Sequence, residues 1–115
     1  MSKNQDSYKR GTAEFLILYL LQQEEMYGYQ LTQRMAEKSG GRYTMLLGSL
    51  YLMLTRMEAD GFVTSRTQLV GKKLTRHYYK ISEKGAAHLQ EILAEYDEIC
   101  KGVNLILDRE VESDE

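Results

Sequence analysis

A chain of 115 residues with 43% hydrophobic and 28% charged residues has the material for one compact domain, and none of its apolar runs reaches the ~18 residues of a membrane span. One cysteine excludes an internal disulfide and fits a reducing cytoplasm, and the opening MSKNQDSYKR lacks a signal-peptide core. The net charge of −2 averages two unlike parts: residues 1–82 hold 12 Lys and Arg against 7 Asp and Glu, and residues 83–115 hold 3 against 10. That split fits a basic module that meets a polyanion and an acidic module kept away from it.

Residues 1–10 are polar and are expected to be flexible, an extra turn of helix before Gly11 being the alternative. Gly11-Thr12 is expected to open the first helix, with Thr12 as its N-cap, and EFLILYLL makes that helix the centre of the core. Tyr27-Gly28-Tyr29 reads as a turn into a second helix over 30–39, whose Leu31 and Met35 face inward. Gly40-Gly41 stops it. The third helix lies in GSLYLMLTRMEADGFV, residues 48–63. Leu47, Leu50, Leu54 and Met57 recur at helical spacing, while Gly48, Ser49, Leu52, Thr55, Arg56 and Ala59 form a mostly small or hydrogen-bonding outer face. Asp60-Gly61 ends it, because glycine takes the left-handed conformation that closes a helix. Such a helix suits the DNA major groove, and the pattern also fits any three-helix core.

Residues 62–67 and 75–81 are rich in β-branched and aromatic side chains and read as strands, joined by a tip at Gly71-Lys72-Lys73. From Arg66 to Lys80 there are five Lys or Arg, one His and no carboxylate. A basic hairpin directly after a recognition-type helix is the wing of a winged helix; lysines that protect an edge strand are the plainer alternative. Ser82 caps a long last helix in which Leu89, Tyr96 and Val103, then Ile92, Ile99 and Ile106, then Leu93, Cys100 and Leu107 each recur seven apart. An apolar band this wide needs a partner surface, and self-association is preferred to folding back. Gly102 weakens the helix near its end, His88 is expected on its outer side, and residues 110–115 form an acidic tail.

Three motifs together, MYGYQL, GSLYLMLTRMEADGFV and RHYYKISEKG, make the chain resemble the PadR family of bacterial winged-helix transcriptional regulators, in the short form with a single C-terminal helix. The resemblance runs from about Gly11 to Glu95. It departs from the family pattern at Leu52, where Pro is usual; Pro in a first helical turn costs little and fixes the start, and here a Leu stands on the face expected to meet DNA. The fold expected is mainly α with a small β-hairpin: a winged helix-turn-helix over 11–82, a dimerisation helix over 83–109, and the tail. The function implied is a sequence-specific, homodimeric repressor on an inverted-repeat operator, relieved by a small hydrophobic effector held between subunits.

For DNA the candidates are Tyr27, Tyr29, Ser49, Tyr51, Leu52, Thr55, Arg56, Lys72, Lys73, Arg76 and His77. Partial burial is the alternative for Tyr27 and Tyr51. For the dimer they are Leu89, Ile92, Leu93, Tyr96, Ile99, Cys100, Val103 and Ile106. Tyr96, the only aromatic on the last helix, is the candidate effector contact. The inventory argues against an enzyme: no Cys/His cluster has metal-ligand spacing and no glycine-rich phosphate loop follows a strand, so neither metal nor cofactor is expected. The rival reading is a winged-helix protein-interaction module without DNA binding.

Overall fold

The computed structural model describes residues 3–109, with side chains from residue 5. Along the chain run α1 (Lys3–Gln23), β1 (Met26–Tyr27), α2 (Gly28–Lys38), α3 (Leu47–Ala59), β2 (Val63–Val70), β3 (Leu74–Ile81) and α4 (Glu83–Ile106). This is a winged helix-turn-helix with a long C-terminal helix. The sheet is antiparallel in the order β1-β3-β2. Ile17 and Leu18 of α1 are fully buried at its centre, where Leu31 and Met35 of α2, Leu50, Leu54 and Met57 of α3, and Val63 and Tyr79 of the sheet converge. Leu47, expected inward, is exposed at the first turn of α3.

Three boundaries ahead of α3 differ from expectation, and beyond it β2 runs on to Val70 and α4 ends at Ile106. First, α1 begins at Lys3, not at Gly11-Thr12, so residues 3–10 are helical. Thr12 is therefore no N-cap. Its hydroxyl donates back to the Tyr8 carbonyl at 3.1 Å and lies 2.8 Å from the Tyr43 hydroxyl, which ties α1 to the segment before α3. A glycine inside a helix costs about 1 kcal/mol relative to alanine, too little to end α1 at Gly11. Second, Tyr27, expected to begin a turn, lies with Met26 in a strand, paired with Tyr78 and Tyr79. Third, α2 therefore starts at Gly28, its entry fixed by the Tyr27 amide donating to the Gln30 side chain at 3.1 Å.

Two glycines are required by close approach. A Cβ at Gly28 would stand 2.7 Å from the Tyr51 ring, and one at Gly85 would stand 2.0 Å from the Phe62 carbonyl oxygen. The second contact explains the spacing of Ser82 and Gly85. The Ser82 hydroxyl accepts from the Gly85 amide at 3.0 Å and donates to the Gly61 carbonyl at 2.6 Å, while the Ser82 amide donates to Phe62 at 3.0 Å. One short motif thus caps α4 and fastens it to the end of α3.

The long helix α4 runs through Gly102 without a break to Ile106. It packs across α1, and this corrects two expectations. Leu89, assigned from its heptad to a dimer surface, is fully buried in the chain's own core. His88 is not on an outer face: its ring stacks on Phe62 with centroids 4.1 Å apart, and Nε2 lies 3.0 Å from the Glu14 carboxylate. The acidic tail at 110–115 lies outside the described residues.

Candidate nucleic-acid interface

The inward row of α3 is spent on the core, which leaves Ser49, Leu52, Thr55 and Arg56 together on its exposed side. Leu52 is 76% exposed, the largest apolar group on that side. The Thr55 hydroxyl donates to the Tyr51 carbonyl at 2.8 Å, so it has only acceptor capacity left for a ligand. Ser49 and Arg56 have no side-chain partner among the described residues. Tyr51 leans over Gly28 at the start of α2 and holds the two helices together, still 37% exposed.

The two tyrosines before α2 separate. Tyr29 is exposed on α2, its hydroxyl accepting from Gln33 at 3.2 Å. Tyr27 is half-buried in β1, edge-on to Tyr78 with centroids 5.5 Å apart. The guanidinium of Arg76 lies over the Tyr27 ring at 4.4 Å, and that of Arg66 over the Tyr78 ring at 4.7 Å. The outer face of the sheet thus alternates Arg and Tyr. Strand alternation puts Arg76 and Tyr78 on that face and His77 with Tyr79 on the other.

The acid-free stretch is not wholly free of acid in space. Glu25, just ahead of β1, accepts from Arg66 Nε at 3.0 and 3.1 Å, and Arg66 also reaches Gln68 at 2.9 Å. The hydrogen bond from Arg66 holds the Glu25 carboxyl below its ordinary value, and the same bond raises Arg66. Glu25 was missed because it stands 41 residues from Arg66, and only the β1–β3 pairing brings them together. At the tip, Gly71 takes φ +70° and leaves Lys72 and Lys73 exposed, with no partner among the described residues. The tip also exposes Leu69 and Leu74.

Along α4 the predicted pairing surface divides. Leu89 is core, Ile92 and Leu93 are half-buried against that core, and Ile99, Val103 and Ile106 are exposed. Tyr96 marks the division: its ring meets Phe15 of α1 with centroids 4.8 Å apart. The neighbouring Cys100 thiol, together with burial, raises the Tyr96 hydroxyl above its ordinary value. Cys100 itself is half-buried. Among the described residues no helix is long and apolar enough to cross a membrane, and no cluster of His, Cys, Asp or Glu is arranged to hold a metal.

The profile of the PadR-like family of transcriptional regulators matches residues 17–91, from the middle of α1 into α4. The chain belongs to that family. A PadR family transcriptional regulator from Eggerthella lenta has a similar crystal structure, with TM-score 0.80 and 30% identity over 90% of this chain and 88% of that one. The transcriptional regulator Rv3488 of Mycobacterium tuberculosis is 29% identical over 96 residues, 84% of this chain and 86% of that protein. The negative transcriptional regulator PadR of Bacillus subtilis is 29% identical over 90 residues, 78% of this chain but only 50% of that protein. The structure of that PadR in complex with operator DNA matches with TM-score 0.67, covering 71% of this chain and 46% of that one. These PadR-like relatives are transcriptional regulators, not enzymes; the chain spans most of the first two but about half of the Bacillus subtilis PadR.

Proposed function

We propose that this PadR-like protein is a homodimeric repressor that reads an inverted-repeat operator in duplex DNA. The observation that carries the reading is the pairing of an exposed face of Ser49, Leu52, Thr55 and Arg56 on α3 with a wing tip whose two lysines face solvent, without a partner among the described residues. In this reading residues 11–82 are the DNA-binding unit and α4 is the dimerisation helix. Ser49, near the N-terminus of α3, takes a base edge or phosphate oxygen, Leu52 packs on a thymine methyl, and Arg56 meets phosphate. Thr55 accepts at the groove floor, Tyr29 and the edge of Tyr51 bond phosphates beside it, and His77 lines the wing face that continues from α3. Lys72 and Lys73 follow the backbone and set affinity without reading sequence. Arg76 and Tyr27 act through each other, keeping the wing at a fixed angle.

The exposed row Ile99, Val103 and Ile106 supports pairing of α4 with a second copy, since such an apolar stripe is costly in water. Two-fold pairing sets the recognition helices on successive major grooves, about 10 bp apart. Repression then follows from occupation of the operator. A cleft of about 290 Å³ beside Phe15, Tyr96 and Ile99 supports an apolar effector at the dimer surface, where it would alter the angle between the long helices.

The test is selection from a random duplex library. An enriched inverted repeat is the expected result. Failure to enrich any sequence, with the protein soluble and dimeric, would replace this reading by the protein-interaction module, which the exposed Leu52, Leu69 and Leu74 would then serve.

A further inference from the structure

We propose that the cleft between the N-terminal half of α1 and the start of α3 is a binding site for a small organic anion with an apolar body, placed so that ligand and DNA compete for one face of α3. The cleft measures about 430 Å³, within the ~300–1,000 Å³ of small-molecule sites. Its floor is apolar, built from Ala13 of α1 and from Met45 and Met53 around the start of α3. Its rim carries Lys9, Arg10 and Arg56 against a single carboxylate, Asp6. That balance favours an anion over a neutral or cationic molecule.

The two arginines are the specific part of the argument. Arg34 and Arg66 are each ion-paired, Arg42 donates to a carbonyl, Arg76 lies on Tyr27, and Arg109 stands past the end of α4, away from this cleft. Arg10 and Arg56 have no hydrogen-bond or ion-pair partner among the described residues, and they flank this cleft from opposite helices. A guanidinium binds a carboxylate or sulfonate through two parallel N–H donors, so a pair of them across an apolar floor selects an anionic head on a hydrocarbon body. A DNA phosphate uses the cations but has no need of the floor. This cleft is separate from the one beside Tyr96.

The regulatory consequence follows from shared residues. Ser49, Leu52 and Arg56 line the cleft and also form the exposed side of α3. An occupant covers Ser49 and neutralises Arg56, so it opposes DNA at the recognition helix itself, without any change at the dimer surface. Coupling of this kind is reciprocal: DNA must weaken the ligand by the factor with which the ligand weakens DNA. The competition rests on the DNA reading above; the ligand site does not.

The full chain is titrated with 8-anilinonaphthalene-1-sulfonate and with its uncharged counterpart N-phenyl-1-naphthylamine, both followed by fluorescence. Arg10→Glu, at an exposed position outside the proposed DNA contacts, is expected to weaken the sulfonate at least tenfold and the uncharged probe less than twofold. Lys101→Glu, the same charge change on α4, is expected to leave both unaltered. Equal sulfonate affinity in Arg10→Glu and the parent chain, or equal losses in both variants, would overturn the site. Duplex DNA is expected to displace the sulfonate from the parent chain. DNA that binds without displacing an Arg10-dependent probe would overturn the competition. Arg10-dependent probe binding in a protein with no affinity for any duplex would uphold the site and refute the DNA reading.

Discussion

Replacing Lys72 and Lys73 by Ala isolates the electrostatic part of DNA binding, because neither side chain has a partner among the described residues. The two arginines of the wing are poorer probes: Arg66 is held by Glu25, and Arg76 lies on Tyr27, so removing either also disturbs the sheet. A dimer carries two wings and thus four of these lysines. If each neutralises one phosphate, the double substitution lowers the slope of log K against log salt by about 3.6 units. At ~0.1 M salt this corresponds to a loss of about three and a half decades in affinity, the same for every duplex sequence. If one lysine per wing reaches DNA, both figures halve. Exposed substitutions of this kind change stability by about 0.5 kcal/mol or less, so the thermal midpoint should stay in place. Fluorescence anisotropy with the selected operator and an unrelated duplex, between ~50 and ~200 mM salt, reads both quantities. A slope that changes by less than about one unit would remove the wing from the interface. A loss confined to the selected operator would refute the assignment of the wing to backbone contacts.

Gly85→Ala places a methyl 2.0 Å from a backbone carbonyl, so the Ser82 cap and the start of α4 must shift. The expected cost is about 3 kcal/mol or more, seen as a lowered denaturation midpoint; a midpoint within 1 kcal/mol of the parent would mean that α4 is not held there. Glu25→Gln releases Arg66 from its carboxylate and is expected to steepen the salt slope and tighten DNA binding; weaker binding would show that the pair instead orders the wing. The same pair sets a pH dependence. Because Glu25 is lowered from 4.5 in the folded chain, its contribution is present above that value and is lost as pH falls through the lowered one. The stability difference between the parent and Glu25→Gln should accordingly vanish in acid, and a difference that persists would have another origin. Ile99→Asp puts a charge into the exposed stripe of α4 and is expected to halve the mass by light scattering to the 13.3 kDa of one chain, with the fold retained. Leu89→Ala, by contrast, opens a cavity in the core at a cost of about 2–5 kcal/mol and is expected to leave the oligomeric state alone. The opposite assignment of effects would overturn the division of α4.

What the sequence made legible follows the length of each signal. Leu50, Leu54 and Met57 repeat at helical spacing over several turns, and Gly61 marks the end with φ +83°, so α3 and most of its two faces were readable, Leu47 in its first turn being the exception. The wing was readable because two eight-residue strands flank a Gly-Lys-Lys tip. A strand of two residues carries no alternation, and β1 passed for a turn. Everything that depends on β1 was hidden with it: the Tyr27–Tyr78 contact, Arg76 on Tyr27, and Glu25 on Arg66. The start of α1 was misplaced for the opposite reason. A polar segment without a breaker signals neither helix nor coil, and a Gly-Thr pair was read as an opening when Thr12 was turned toward Tyr43.

The heptads of α4 show a limit of another kind. A repeat of apolar residues states that a face must be covered, and burial lowers the free energy equally whether the cover comes from the same chain or from another. The sequence therefore ran Leu89 and Ile106 together into one surface. What separates them is how far along α4 the helix α1 reaches. Leu89 meets the core, Tyr96 meets Phe15, and Ile99 begins the part left in water. Phe15 was counted as core because it stands among apolar neighbours, and nothing near it in sequence names Tyr96 as its partner. That one aromatic contact separates the part of α4 packed into the fold from the part left exposed. A residue on its near side acts through stability, and one beyond it, in the dimer proposed above, acts through assembly.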